Sequence, residues 1–157
     1  MRKLSISLLI LLLVGWTTGC DSNDGDDQSD AEVFVGSWTL ANLLINGQDL
    51  TAALFLLAEV NRVEIDFESN GTFRLQVVSA SSPPEVTGTY SLNESLDTVT
   101  LTSSDFAAPV TLSYEIENNN RIVLDTDDVA LLVELSGIDP SSLGLQVERL
   151  ELILRRS

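Results

Sequence analysis

From Phe34 to the C-terminus, apolar residues recur at every second position, with charged or hydroxyl side chains between them. That spacing predicts β-strands with one face buried, because successive side chains on a strand point to opposite sides. Phe34, Gly36, Trp38 and Leu40 open the series, and Val63, Ile65 and Phe67 then alternate with Glu64, Asp66 and Glu68. After Ser69-Asn70-Gly71, whose Asn-Gly pair is a hairpin signal, the alternation resumes at Phe73, Leu75 and Val77. Val86 to Leu92, Val99 and Leu101, Val110 to Ile116, Ile122 and Leu124, and Leu150 to Leu154 complete eight strands.

The links between these strands alternate in length. Residues 69–71, 93–97 and 118–120 are tight, whereas 48–61, 79–84, 103–108 and 128–145 are longer. In an antiparallel meander, alternate links fall at opposite ends, so the long ones gather at one end and the short ones at the other. The expected fold is therefore all-β, an eight-stranded up-and-down antiparallel β-barrel with a closed base and a loop-rich mouth. A barrel of that size is filled by its own side chains or holds one small ligand. Two mouth links are apolar enough for short helices. Residues 49–59 place Leu50, Ala53, Leu54 and Leu57 on one stripe behind Asp49 as N-cap. Residues 129–135 read as a second helix or as strand, and Pro140 suits the first turn of a third piece at 138–143. Such segments either plug the mouth as core or cover an apolar pocket as a lid.

The N-terminus follows a different pattern. Arg2 and Lys3 precede an apolar run, Leu4 to Val14, broken only by Ser5 and Ser7. The run is shorter than the roughly 20 residues of a membrane span and fits the core of a secretory signal. It ends at Thr17-Thr18-Gly19-Cys20, which resembles the lipobox of bacterial lipoproteins, in which small residues precede a Cys that is lipidated before cleavage. The resemblance implies a signal peptide over 1–19, acyl chains on Cys20 and retention at a membrane. More than one chain, at about 0.8 kcal/mol per buried CH₂, gives stable anchoring. Residues 20–33 then serve as a lipidated, acidic, flexible tether ahead of a domain over 34–157, because Asp21 to Asp30 contains no apolar residue. Gly25 follows Asp24 one place too early for a calcium loop. Acidic residues just after the Cys resemble export signals of surface lipoproteins, so the expected location is the bacterial cell envelope, outer membrane or surface rather than inner membrane.

Gly36-Ser37-Trp38 on the first strand resembles the G-x-W signature of lipocalins, and the strand count and the Arg-containing last strand extend the likeness across most of 34–156. The resemblance implies that Trp38, with Gly36 of the same motif, sits at the closed end and that an Arg from the end of the last strand, Arg155 (or Arg156), packs across the Trp38 ring. Asn118-Asn119-Asn120 stands where that family carries T-D-Y. These are structural residues on either reading.

Composition then narrows the chemistry. The chain has 24 Asp or Glu against 8 Lys or Arg, a net charge of −16, and no His. That balance argues against nucleic acid as a partner. It also removes the usual general base and the commonest metal ligand. The one Cys excludes an internal disulfide. Asp125, Asp127 and Asp128 form the densest acidic cluster of the domain, which reads as a solvated strand end rather than a calcium site. No nucleophile–base set is present, so no enzyme, cofactor or metal is expected. The expectation is a membrane-anchored, non-enzymatic barrel binding a small apolar ligand, with Leu54, Leu57, Phe67, Phe73, Tyr90 and Tyr114 as candidate contacts. The alternative is a filled barrel that docks another envelope protein. Whether the space enclosed by Phe67, Phe73, Tyr90 and Tyr114 is open or filled separates the two.

Overall fold

The computed structural model describes residues 28–57, 59–79, 85–128 and 146–157. Cys20, the helices expected at 129–135 and 138–143, and the acidic segment up to residue 27 lie outside them. The described elements are α1 (Asp30–Phe34), β1 (Gly36–Ile45), β2 (Gln48–Asp49), α2 (Thr51–Leu57), β3 (Val60–Phe67), β4 (Thr72–Ser79), β5 (Glu85–Asn93), β6 (Thr98–Thr102), β7 (Val110–Asn118), β8 (Arg121–Thr126) and β9 (Leu150–Arg156).

The strands run in sequence order, each antiparallel to the next, and β9 returns to pair with β1, which closes the sheet. The molecule is thus the expected eight-stranded up-and-down barrel. The two-residue β2 is an appendage, folded back on the end of β1 through Asn46 and Gly47, both at positive φ. Two such residues in succession give a turn whose twist matches the strands it joins.

Side chains at alternate positions fill the interior, from Trp38, Leu40 and Leu43 on β1 to Leu150, Leu152 and Leu154 on β9. Gly88 interrupts this series for a steric reason. A Cβ there would lie 2.1 Å from the Thr102 carbonyl oxygen and 2.8 Å from the ring of Phe73. The bare position lets β6 and the Phe73 ring close on β5.

The start of the domain departs from the alternating pattern. Phe34 was expected to begin the first strand, but it ends α1, and residues 30–33, assigned to the tether, are folded against the barrel. The cause is a capping box. The Ser29 hydroxyl accepts from the Glu32 amide at 3.3 Å, and the Glu32 carboxylate accepts from the Ser29 amide at 3.2 Å. That cap nucleates one helical turn and aims Val33 and Phe34 inward, where both are buried.

Candidate functional site

At the base, α1 acts as a floor. The Phe34 ring meets the rings of Phe67 and Tyr114 edge-on, at centroid separations of 5.4 and 4.9 Å. Phe67 in turn meets Tyr90 edge-on at 4.9 Å. These geometries let the positive ring edge face the negative ring face. Slightly higher, Phe73 stacks on Phe106 at 6.2 Å. Of the six residues considered as ligand contacts, the four aromatics therefore pack against Phe34, Phe106 and one another. The reason is positional: Phe67, Tyr90 and Tyr114 lie near the base ends of β3, β5 and β7, where the floor helix enters.

The two tyrosine hydroxyls are also committed. Tyr114 donates to the Asp30 carboxylate at 2.6 Å, and Tyr90 donates to the Glu68 carbonyl at 3.0 Å. Burial, then the bond to Asp30 and the charge of that carboxylate, pushes the Tyr114 phenol far above its ordinary range. Burial alone moves Tyr90 upward. Both stay neutral donors, which fits a structural role.

Gly36, Trp38 and an arginine of β9 meet at this floor. The arginine is Arg156. Its guanidinium carbon lies 4.9 Å from the Trp38 ring centroid. Its Nη2 donates to the Val33 carbonyl at 2.7 Å and its Nε to the Asn119 carbonyl at 3.0 Å. Trp38 Nε1 donates to the Phe34 carbonyl at 2.8 Å. The last carbonyls of a helix lack intrahelical donors, and here a guanidinium and an indole supply them. Gly36 makes room: its φ is +142°, and a Cβ there would lie 3.2 Å from Arg156 Nη1. Arg155, named first from the sequence, is exposed and registers with Thr39 and Arg121 instead. Strand alternation decides between the neighbours, because Arg156 continues the inward series Leu150, Leu152 and Leu154 and lies opposite Trp38.

The upper half is lined differently. Ile45, Val60, Val63, Val77, Leu101, Val110 and Leu150 are buried there, with Leu50, Phe55, Val86 and Val147 half-buried against them. Thr126 is the single buried polar residue among those described, and its hydroxyl accepts from the Asp128 amide at 3.0 Å. No buried side-chain polar atom among the described residues lacks a partner. Leu54 and Leu57 belong to α2, and their side chains lie outside the described part. Leu56 on the same helix is 79% exposed.

The acids do not assemble into a centre. Asp125 pairs with Arg149, whose Nε donates to it at 2.6 Å, while Asp127 and Asp128 are exposed. No group of three or more His, Cys, Asp or Glu converges among the described residues. An open groove of about 730 Å³ runs along the outer wall beside α1, lined by Ser69, Ser91, Asn93, Thr98 and Thr100 among others.

The sequence reading missed the floor. Ser29-Asp-Ala-Glu32 carries the S-x-x-E signature directly before Val33-Phe34, and that signal was available. Comparison with known proteins adds no assignment: no family model matches the chain, and no curated protein matches it.

Proposed function

We propose that this chain is a lipid-anchored, non-enzymatic envelope protein whose barrel takes a small apolar molecule into its upper half. The observation that carries the reading is the contrast between the two halves: an aromatic floor sealed by Phe34 beneath a largely aliphatic wall, to which the mouth links add Phe55 and Phe106, with Thr126 as its one buried polar residue among those described. Sites for small apolar molecules combine such walls with few polar groups. Each Å² of apolar surface buried there contributes about 25 cal/mol. The resemblance of Gly36-Ser37-Trp38 to the lipocalin signature supports the same reading.

The lipobox resemblance at Cys20 supports the anchor, and the position of Gln28 bears on which end of the barrel it would hold. The Gln28 side chain accepts from Asn119 at the β7–β8 turn, and Ser157 donates its amide to Ser37, so both ends of the described chain lie at the base. A lipid on Cys20, eight residues ahead of Gln28, would hold the base within roughly 27 Å of the membrane. The mouth would face away from it.

Titration of the purified mature chain with N-phenyl-1-naphthylamine, a neutral apolar fluorophore, tests the binding. Saturable uptake near one probe per chain, lost when Val77→Trp fills the upper barrel, is expected. Absence of saturable uptake by a folded chain rejects the reading. Mass spectrometry of the mature chain tests the anchor separately, and an intact Met1 rejects it. A second reading, a filled barrel that docks another envelope protein at its mouth, draws on the exposure of Leu56 beside Ala52 and Ala53.

A further inference from the structure

The barrel wall is not continuous between β1 and β3. Their ladder has four pairs, from Gly36 opposite Phe67 to Thr39 opposite Glu64, although β1 runs on to Ile45 and β3 begins at Val60. Each strand carries an irregularity where the ladder stops. The β1–β9 register shifts between Leu40 and Asn42, and the β3–β4 register shifts between Val60 and Arg62. An extra residue bends its strand and raises the local twist. Bulges at Ala41 and Asn61 therefore turn β1 with β9 and β3 with β4, and the wall parts above them.

Helix α2 spans the parting and packs on both strands. Its attachments to the two sides differ. On the β1 side, the Leu43 amide donates to Thr51 Oγ1 at 2.7 Å, and the Leu43 carbonyl accepts from the Leu50 amide at 2.9 Å. The start of the helix thus takes over the backbone groups that β3 would otherwise bond. Asp49 braces this junction, accepting from the Thr51 amide at 2.9 Å, from the Thr51 hydroxyl at 2.5 Å and from Asn42 at 2.8 Å. Those bonds hold its carboxylate below the usual range. On the β3 side, no hydrogen bond among the described residues joins α2 to Val60–Val63. The contact there is apolar, and Glu59 at φ +51° forms the elbow into β3.

We infer that α2 is a side gate: a latch on β1 centred on Thr51, an elbow at Glu59, and behind them a seam that opens on the aliphatic upper barrel. Two turns of helix do not hold their shape alone in water, so α2 persists through its contacts and opens as a local unit. From Thr51 onward it carries Ala-Ala-Leu-Phe-Leu-Leu, with Phe55 half-buried against the core and Ala52, Ala53 and Leu56 already exposed. Outward rotation therefore trades few polar contacts beyond the latch. The inference rests on the binding proposed above for its purpose, since the gate gives an apolar molecule a lateral route into the barrel. The existence of the gate is independent of that binding.

Thr51→Val keeps the shape of the side chain and removes the two hydroxyl bonds, from the Leu43 amide and to the Asp49 carboxylate, while the Leu50–Leu43 backbone bond stays. Hydrogen exchange on the full mature chain is expected to show the amides of Leu43 and of 51–57 exchanging roughly tenfold faster, the scale of one lost hydrogen bond. The amides of Trp38 and Leu152 should be unchanged. A uniform rise across the barrel, or no rise at Leu43, overturns the gate. Stopped-flow mixing with N-phenyl-1-naphthylamine reads the route: association and dissociation rates should rise together, with Kd within twofold of the parent. Unchanged rates beside faster Leu43 exchange reject the seam as the route. Failure of the parent chain to take up the probe rejects the binding reading instead, and exchange at Leu43 still decides the gate.

Discussion

Arg155 and Arg156 are adjacent in sequence and chemically identical, yet the structure assigns them opposite weights. Arg156 makes two hydrogen bonds to carbonyls, at 2.7 and 3.0 Å, and lies over the Trp38 ring. The Arg155 side chain has no hydrogen bond or ion pair among the described residues and stands across the ladder from Arg121. Replacing Arg156 by Met keeps the aliphatic stem and removes the guanidinium. The Asn119 carbonyl is in an exposed turn and regains water. The Val33 carbonyl is partly buried beside the floor, so its charged hydrogen bond, worth about 1.5–3 kcal/mol, is lost without full replacement. The cation–π contact adds about 0.5–1 kcal/mol. Arg156→Met should therefore cost about 2–4 kcal/mol. In urea, with a mid-range slope of about 2 kcal/mol per molar, the midpoint should fall by about 1–2 M. Arg155→Met should stay within about 0.5 kcal/mol of the parent, as exposed substitutions do. Trp38 is the one tryptophan of the domain, so its fluorescence reports both unfolding and the loss of the overlying charge. Equal shifts for the two variants, or a larger shift for Arg155→Met, would refute the assignment of the floor contacts.

Phe34→Ala should destabilise by about 3–5 kcal/mol, because it empties the centre of the floor, and calorimetry reads the loss. Gly88→Ala forces a Cβ against the Thr102 carbonyl and the Phe73 ring; an overpacking cost of about 1–3 kcal/mol should appear in urea titration, with a parent-like midpoint as the opposing result. Burial works to raise the Asp66 pKa, but hydrogen bonds from Ser37 and Arg74 and the Arg74 charge outweigh it and hold the carboxyl below its ordinary value. Its contribution is then fully present above the unfolded pKa of about 3.9 and is lost as pH falls through the lower native value. Asp66→Asn should accordingly melt below the parent at pH 7 and converge with it near pH 2; the exposed Arg74 keeps the gap within about 1 kcal/mol.

The barrel itself was legible because its evidence repeats. Each strand states the period-two pattern independently, and the alternation of link lengths orders the strands without any long-range information. The floor was less legible because α1 is too short for periodicity to show; Phe34 fits equally well as a strand position two before Gly36, and only Ser29 and Glu32 distinguish the helix. The choice between Arg155 and Arg156 was open to strand parity, since Arg156 continues the inward series Leu150, Leu152 and Leu154. Gly88 was not legible, because its neighbours across the ladder, Phe73 and Thr102, are distant in the chain. The role of the inward aromatics was not legible for a related reason: an inward aromatic on a strand is equally a wall or a plug, and which it becomes depends on what enters from the end. Asp49 before an apolar stripe did point to α2, although the helix begins at Thr51 and the carboxylate caps from one residue further back.

The two ends of the barrel are built on opposed principles, and this bears on where function resides. At the base, the strands that close the sheet are also the strands that hold the floor: β1 supplies Trp38, β9 supplies Arg156, and each bonds a terminal carbonyl of α1. Loosening the floor therefore loosens the closing pair as well, so motion there approaches global unfolding. At the mouth, the β1–β3 ladder ends early, and α2 lies across the parting, held to β1 by hydrogen bonds from Leu50 and to Thr51, with no hydrogen bond to Val60–Val63 among the described residues. Openings of lower free energy than global unfolding are confined to such units. The proposed entry of an apolar molecule without unfolding asks for a weak element over the upper barrel and a strong element elsewhere. Here the weak element lies over the aliphatic half, and the strong one seals the half already filled by aromatic side chains.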